Sequence, residues 1–264
     1  MSTSSPQIPN AKVAVIGGTG MNQWPGLAIS ESRVVDTPYG APSAPLLHGR
    51  IAGVEAIFLA RHGEGHKIPP HAINYRANLW ALKAAGVHKV IAIAAVGSIA
   101  EWFAPGDVTV PDDVIDYSWG REHSYSDGSI GSELKHIEFE HPYAASLRKT
   151  LLDAAQAAAV AAHDGGTMAV TQGPRLESPA EIRRLKQDGC AMVGMTGMPE
   201  AGLAAELGLA YACLAVSVNW APGIGSGDIH GQIELWVATS MAKVRAILDL
   251  ALPGLMSNSD SVGD

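Results

Sequence analysis

The stretch from Thr167 to Asp188 reads TMAVTQGPRLESPAEIRRLKQD, and it decides the fold class. Its first five residues, rich in β-branched and apolar side chains, are typical of a buried strand. The turn QGPRLE at 172–177 follows, where glycine lets the backbone approach a ligand and Pro174 restricts the chain direction. A helical pattern begins at Pro179, since proline suits the first helical turn. The stretch therefore predicts a strand, a turn suited to a ligand, and a helix.

The same order of strand, loop and helix recurs along the chain. Strands are predicted at Lys12–Ile16, Glu55–Ala60, Val87–Val96, Thr167–Thr171, Met192–Met195 and Leu209–Val218. Helices are predicted at Tyr75–Ala85, Pro142–Ala162, Pro179–Asp188, Pro199–Leu207 and Glu234–Ala251. Such alternation predicts an α/β fold: a single domain with a mixed, mostly parallel twisted sheet flanked by helices. We place this domain at residues 11–254, between tails at 1–10 and 255–264 whose composition predicts disorder.

Composition and charge exclude several classes of protein. With 264 residues, of which 47% are apolar, the chain can bury the core of one large domain. Its formal net charge of −8 argues against a nucleic-acid partner, because such binding needs Lys and Arg to neutralise phosphates. The basic residues Arg183, Arg184 and Lys186 are instead typical of a solvated helix face.

Neither a disulfide framework nor a membrane segment is indicated. The two cysteines, Cys190 and Cys213, lie in apolar surroundings without metal-ligand spacing, so both are predicted to be buried thiols. The start MSTSSPQIPN lacks a cationic region followed by an apolar one, and no run of about 18 apolar residues occurs. We therefore expect a soluble, cytoplasmic protein with no membrane partner.

Polar and glycine-rich groups follow each predicted strand. They read GGTG at 17–20, RHGEGH at 61–66, GS at 97–98, QGPRLE at 172–177, TGMPE at 196–200 and NWAPG at 219–223. In open α/β sheets, ligands bind at the carboxyl ends of the strands. The sequence therefore predicts a ligand site at this edge of the sheet.

Two of these loops carry groups that suit a phosphate-like anion. The amides of Gly17–Gly20 and the Thr19 hydroxyl can hold an anion by the glycine-loop mechanism. Arg61 can grip a tetrahedral anion with several charge-assisted donors, and His62 follows it. A surface arginine beside a capping histidine remains the alternative for this pair.

Other uses of the glycines and histidines have less support. A dinucleotide fingerprint needs a third glycine at position 23, which is Gln23, although Asp36 follows near the place of a ribose-binding acid. The nucleotide P-loop needs a glycine-lysine pair that the loop lacks. Around His62, His66 and His71 no cysteine or carboxylate stands at ligand spacing, so no metal is predicted.

Taken together, several motifs resemble the purine nucleoside phosphorylase superfamily and, within it, the methylthioadenosine phosphorylase branch. They are GGTG, RHGEGH with the following INYRANLWAL, QGPRLESPAE, MTGMPEAGLA, and the Val218-Asn219 pair, all in order between about Val13 and Leu250. The resemblance implies a pentosyltransferase that cleaves a purine nucleoside with inorganic phosphate as co-substrate. It implies no organic cofactor and no metal.

By this resemblance, phosphate is bound by Thr19, Arg61, His62 and Thr196. Relatives of the methylthioadenosine branch have threonine where this chain has Ala94, so the backbone amides around Ala94 and Ala95 are expected to take over part of that role.

Other substrate contacts are also implied by the resemblance. Met195 matches the residue beneath the ribose, and Leu176 belongs to the substrate-binding set. His136 matches a residue that reaches into the site of a neighbouring subunit. The expected assembly is a homotrimer, and whether two trimers pair into a hexamer is left open.

The base-binding positions depart from the adenine-specific relatives. Those relatives carry a serine where this chain has Glu177, and two aspartates where it has Asn219 and Ala221. Glutamate and asparagine there resemble the enzymes that cleave inosine and guanosine. The chemistry agrees, because a 6-oxopurine offers N1–H to Glu177, while Asn219 can donate to O6 and accept from a protonated N7.

The 5′ end of the ribose is expected to meet the glycine-rich segment Pro222–Gln232, which resembles a mobile flap. His230 or Ile233 is predicted to approach the 5′ substituent, with a solvent-facing His230 as the alternative. The predicted reaction converts S-methyl-5′-thioinosine to hypoxanthine and S-methyl-5-thioribose 1-phosphate in purine salvage. A general inosine and guanosine phosphorylase is the main alternative, and Ala94 motivates a third, a nucleoside-binding protein without turnover.

Overall fold

A computed structural model of the protein describes residues 13–17, 28–126, 128, 133–225 and 228–257. This part of the chain contains eleven strands: β1 (Val13–Gly17), β2 (Ala28–Arg33), β3 (Leu46–Ile51), β4 (Val54–Ala60), β5 (Lys89–Ser98), β6 (Val108–Val110), β7 (Asp113–Asp116), β8 (Ala162–Asp164), β9 (Thr167–Val170), β10 (Cys190–Gly194) and β11 (Ala210–Trp220). It also contains five α-helices: α1 (Tyr75–Ala84), α2 (Ala145–Ala157), α3 (Pro179–Gln187), α4 (Gly197–Glu206) and α5 (Ile229–Ser257).

All eleven strands belong to one sheet. Eight of them follow the order β2-β3-β4-β1-β5-β10-β9-β7, while β11 pairs with β5 and β6, and β6 pairs with β8. Six of the ten strand pairings are parallel and four are antiparallel. The predicted mixed, mostly parallel sheet flanked by helices is confirmed.

The central strands are apolar on both faces. In β5, Val90 and Ala92 pack into one core cluster, whereas Ile91 and Ile93 pack into another. The first cluster includes side chains of α1 and α4, and the second includes side chains of α2 and α5. This period of two explains the continuous apolar runs in the sequence, since a strand covered by helices on both faces has no polar side.

The sheet splits beside β5. On one side, β1 pairs with 89–92 and β10 pairs with Gly97 and Ser98. Among the described strands, the stretch 93–96 between them pairs only with β11. The split leaves 93–96 without a strand neighbour on the side opposite β11, at the edge where the sequence places a ligand.

Side chains next to the first turns of α1 and α3 cap these helices. Ser178 and Glu181 form a reciprocal capping box at α3, whose first residue is Pro179. At α1, the Asn74 side chain accepts a hydrogen bond from the amide of Ala77 at 3.0 Å. Both helices begin where proline or capping signals predict.

Three predicted boundaries are corrected. The helix predicted from Pro142 spans only 145–157, and Ala162 already belongs to β8. The last helix begins at Ile229 rather than Glu234, so the end of the predicted flap is helical. It continues to Ser257, which places 255–257 in a helix rather than in a tail. Residues 1–10 and 258–264 lie outside the described residues.

Other predictions can be compared directly with the structure. Arg183, Arg184 and Lys186 are exposed on α3, and Cys190 and Cys213 are free, buried thiols, as predicted. Asp36 is exposed in the loop after β2. Within the described ranges, no helix is both long enough and apolar enough to cross a membrane.

Gly106, in the connection from β5 to β6, allows a close approach of α5. Its φ is +94°, and an added Cβ would lie 2.6 Å from the indole of Trp236. We predict that Gly106→Ala lowers the free energy of unfolding through backbone strain of about 1–2 kcal/mol and overpacking of about 1–3 kcal/mol. Gly189→Ala is the matched control. Gly189 has φ +89° but open space around it, so this substitution should destabilise the fold through backbone strain alone. Urea unfolding of both variants measures the difference, and equal losses would contradict a steric role for Trp236.

Candidate active site

A cavity of about 400 Å³ lies at the carboxyl ends of β4, β5, β9, β10 and β11. Its volume falls in the range of small-molecule sites. Ten of the predicted site residues line it: Arg61, His62, Ala94, Ala95, Leu176, Glu177, Met195, Thr196, Asn219 and Ile233. The folded chain thus brings residues from six separate segments to one pocket.

Three described site residues, Ala221, His230 and His136, do not line this cavity. Thr19 lies outside the described residues. Ala221 is buried behind the cavity, where its amide donates to the Ser98 carbonyl at 2.8 Å. His230 and His136 are exposed and lie outside the cavity. Within this chain, Ile233 rather than His230 reaches the pocket, because His230 faces solvent in the first turn of α5.

Arg61 is the buried cation of the cavity, with only 1% of its surface exposed. Its Nε and Nη2 donate to the two carboxylate oxygens of Glu200 at 3.0 and 2.7 Å, and its Nη1 donates to the Ile93 carbonyl at 2.7 Å. Glu200 also accepts from the Tyr211 hydroxyl at 2.8 Å. Two of the five guanidinium N–H donors remain without a partner among the described residues, which suits an anion in the cavity.

The charge state of Arg61 follows from this pair. Burial disfavours the charged form, but the charge and hydrogen bonds of Glu200 outweigh it and hold the pKa of Arg61 above its usual value. Glu200 is itself fully buried. Each ion therefore compensates the desolvation of the other.

His62 presents a neutral imidazole to the cavity. Burial and the nearby Arg61 charge lower the pKa of His62 to about 4, against an opposing hydrogen bond to the Ile68 carbonyl. That bond, 2.8 Å from Nδ1, requires the proton on Nδ1, because a carbonyl can only accept. Nε2 is then an acceptor, which suits a protonated phosphate oxygen rather than a bare one.

The remaining predicted phosphate contacts come from backbone and hydroxyl groups. Ala94 and Ala95 line the cavity within the split stretch 93–96 of β5. Thr196 precedes α4, and its hydroxyl makes no capping bond to that helix. The Thr196 hydroxyl adds a neutral donor beside Arg61, and the backbone at Ala94 and Ala95 borders the same cavity.

Glu177 is buried, and one of its two oxygens has a partner. Oε1 accepts from the Thr171 hydroxyl at 2.6 Å. Oε2 has no partner among the described residues, although Glu177 is only 8% exposed. A free carboxylate oxygen of a residue that lines the cavity favours a ligand with a hydrogen-bond donor, because a ligand that left it unpaired would pay the cost of desolvating it.

Asn219 owes its position to a β-bulge in β11. The register with β5 shifts between Ser217 and Asn219, so Val218 is the extra residue, and both Val218 and Asn219 line the cavity. Asn219 Nδ2 donates to the Trp220 carbonyl at 2.7 Å, which fixes the amide orientation. One N–H and Oδ1 stay free of partners among the described residues.

Sequence reasoning missed the residues that hold these groups. Glu200 ends the TGMPE segment at 196–200, and a carboxylate among apolar neighbours at the start of α4 is the signal that could have identified it. Thr171 was assigned only to a strand. Lys67 and His66 also line the cavity; His66 ends the RHGEGH loop that was predicted at this edge, but neither residue was predicted as a substrate contact.

In the described segments, His, Cys, Asp and Glu side chains form no group of three or more that could hold a metal ion.

Comparison with known proteins agrees with this geometry. A relative from Pseudomonas syringae pv. tomato, named as a probable S-methyl-5′-thioinosine phosphorylase, is 50% identical over 89% of this chain and 96% of its own. A 6-oxopurine nucleoside phosphorylase from Pyrococcus furiosus is 40% identical over 90% of this chain and 91% of its own. A solved structure of methylthioadenosine phosphorylase from Schistosoma mansoni in complex with adenine has a TM-score of 0.86 at 33% identity, covering 95% of this chain and 93% of its own.

The family model of the phosphorylase superfamily matches residues 12–252. The resemblance inferred from the motifs is confirmed, and the chain belongs to the phosphorylase superfamily.

Proposed function

We propose that the protein catalyses the phosphorolysis of S-methyl-5′-thioinosine, giving hypoxanthine and S-methyl-5-thioribose 1-phosphate. The observation that carries the proposal is the pair of buried polar groups at Glu177 and Asn219 in the cavity that Arg61 also lines. The name of the Pseudomonas syringae relative supports the same substrate.

The free atoms of these two residues match a 6-oxopurine. Glu177 Oε2 accepts the hydrogen on N1, since Oε1 is already bonded to Thr171. The second N–H of Asn219 donates to O6, and its Oδ1 accepts from a protonated N7. Each free polar atom of Glu177 and Asn219 thus has a hydrogen-bonding partner on the base.

Adenine fails this match at one edge. Its N1 carries a lone pair, which faces the Glu177 carboxylate and leaves a buried acceptor unpaired. Such polar mismatches reject analogues by factors on the order of 10⁴. We therefore assign the base as hypoxanthine or a related 6-oxopurine.

The chemistry proceeds without a covalent enzyme nucleophile and without an organic cofactor. Phosphate, held by Arg61, Thr196 and amides of the split strand, forms a bond from its oxygen to C1′. The C1′–N9 bond breaks, and its electron pair moves onto the purine. N7 takes up a proton from solvent, and Asn219 stabilises the leaving purine by accepting from N7–H and donating to O6, interactions that strengthen in the transition state. Positioning and electrostatics supply the catalysis.

The 5′ substituent distinguishes two candidate substrates. Ile233 and Pro69 line the cavity as apolar groups, which favours a methylthio group. Lys67 and His66 offer polar contacts to a 5′-hydroxyl, and this observation favours the alternative of a general inosine and guanosine phosphorylase. Comparing rates on methylthioinosine and inosine separates the two.

We also propose a homotrimer in the cytoplasm. His136 lies in the segment 133–138, which is exposed and includes Leu134 at 72% exposure. The exposed apolar side chain of Leu134 supports an assembly, because a second copy could bury it, and the free thiols suit a reducing compartment. Sedimentation velocity tests the assembly: a trimer mass supports it, and a monomer at assay concentration contradicts it.

Hypoxanthine release tests the function. We expect release from methylthioinosine that requires phosphate. Asn219→Ala is the catalytic control, and it should lower kcat by about 10²-fold, with a smaller change in KM. Binding of the nucleoside without release would support a nucleoside-binding protein and contradict the proposal.

We predict that wild-type kcat/KM for 6-oxopurine nucleosides exceeds that for the matching adenosine compounds by at least about a hundredfold. Glu177→Ala should remove most of this preference. Glu177→Gln should retain more 6-oxopurine activity than Glu177→Ala, because an amide oxygen still accepts from N1–H. Glu181→Gln is the matched control, since this carboxylate caps α3 outside the cavity. An unchanged preference in Glu177→Ala would contradict the base assignment.

Ile233→Thr should reduce the preference for methylthioinosine over inosine by about tenfold, because a hydroxyl replaces an apolar contact at the 5′ group. His230→Leu should leave this ratio unchanged, since His230 is exposed outside the cavity. Steady-state rates on both nucleosides measure the ratios. A change confined to His230→Leu would restore the role first predicted for His230.

A further inference from the structure

Arg121 follows β7 and turns inward, with only 8% of its surface exposed. It makes five hydrogen bonds. The acceptors are the carbonyls of Thr171 (3.1 Å), Gln172 (2.9 Å) and Met198, the Gln172 side-chain oxygen (3.2 Å) and the Tyr75 hydroxyl (3.4 Å). This buried cation is therefore solvated by main-chain and neutral side-chain dipoles.

None of these acceptor residues lines the cavity, but each is next to, or bonded to, a segment that forms part of its wall. Thr171 and Gln172 open the turn that carries Glu177, and the Thr171 hydroxyl donates to that carboxylate. Met198 lies two residues after Thr196. Arg121 is linked to a third segment of the cavity wall, the loop before α1, only through Tyr75.

Tyr75 lies at the start of α1. Its hydroxyl accepts from Arg121 and donates to the Pro70 carbonyl at 2.9 Å, and Pro70 lines the cavity. The guanidinium also lies 5.5 Å from the centre of the Tyr75 ring. One side chain thus joins the base-binding turn, the loop at Thr196 and the loop before α1.

We propose that Arg121 is a positioning residue that fixes the base-recognising carboxylate of Glu177 relative to the phosphate-binding loop at Thr196. The proposal rests on the function proposed above. Arg121 lies outside the cavity lining, so it acts through Thr171, Gln172 and Met198 rather than on the substrate. A planar guanidinium can hold these divergent acceptors at once, whereas the ammonium of lysine has three donors on one atom.

The phosphate cation does not depend on this network. Arg61 is held separately by Glu200 and the Ile93 carbonyl. Loss of Arg121 should therefore loosen base recognition more than phosphate binding. We expect Arg121→Met to reduce the preference for 6-oxopurine over 6-aminopurine nucleosides by about tenfold or more, with a change in phosphate KM of less than about threefold.

Arg148 supplies a matched control away from the cavity. It is likewise mostly buried, and it donates to the carbonyls of Pro111 (2.9 Å) and Val110 (3.1 Å) and to the Asp164 carboxylate. Arg148→Met removes a comparable set of hydrogen bonds to main-chain carbonyls. It should lower the melting temperature without changing the base preference.

The experiment compares wild type, Arg121→Met, Arg121→Lys and Arg148→Met in the full chain. Kinetics give the base preference and both KM values. Amide hydrogen exchange gives local order independently of activity. Arg121→Met should speed exchange within 171–177 and 196–199, Arg121→Lys should restore it only in part, and Arg148→Met should speed exchange near 110–112 and 162–166.

Faster exchange at both loops together with a reduced base preference supports the positioning role. Unchanged exchange, or faster exchange with an unchanged preference, overturns it. Should wild type release no purine from any nucleoside, the proposed function fails. In that case the amide exchange alone tests whether Arg121 joins the two loops: faster exchange at both 171–177 and 196–199 in Arg121→Met supports the link, and unchanged exchange contradicts it.

Discussion

The split of the sheet beside β5 is the constraint on which the site depends. Over 93–96 the strand lacks a neighbour on one side, and the guanidinium of Arg61 occupies part of that place by donating to the Ile93 carbonyl. Burying this cation costs several kcal/mol unless it is paired, and Glu200 provides the pair with Tyr211 as a third member. Removing either ion would leave its partner charged and uncompensated. The buried ion pair that fills part of the split in the sheet therefore also supplies the positive charge that binds the anion.

The selectivity of the cavity arises from what the fold leaves unbonded. Thr171 occupies one oxygen of Glu177, and the Trp220 carbonyl occupies one N–H of Asn219. The remaining carboxylate oxygen, amide N–H and amide oxygen form a pattern that a 6-oxopurine satisfies and an adenine does not. The bulge at Val218 is needed for this pattern, because without the extra residue the register of Asn219 against β5 would change.

Much of the central fold was predictable because strands buried on both faces are apolar without interruption, as in β5 and β11. The edge strands were not, since β2 is exposed at all six positions and carries no apolar pattern. Many cavity residues were predictable because they follow strands that end at one edge. Glu200 and Arg121 were not recognised as site residues, because Glu200 lies 139 positions from Arg61 and the partners of Arg121 lie 46–77 positions away in sequence. Spacing cannot reveal such pairs, and only the folded chain brings them together.

The central claim is that Glu177 and Asn219 read a 6-oxopurine, and base binding tests it without dependence on turnover or on the 5′ group. Isothermal titration calorimetry of the protein with hypoxanthine and with adenine, both in saturating phosphate, measures the two dissociation constants under the same conditions. The account predicts that hypoxanthine binds at least about a hundredfold more tightly than adenine. Equal affinities, or tighter binding of adenine, would contradict it.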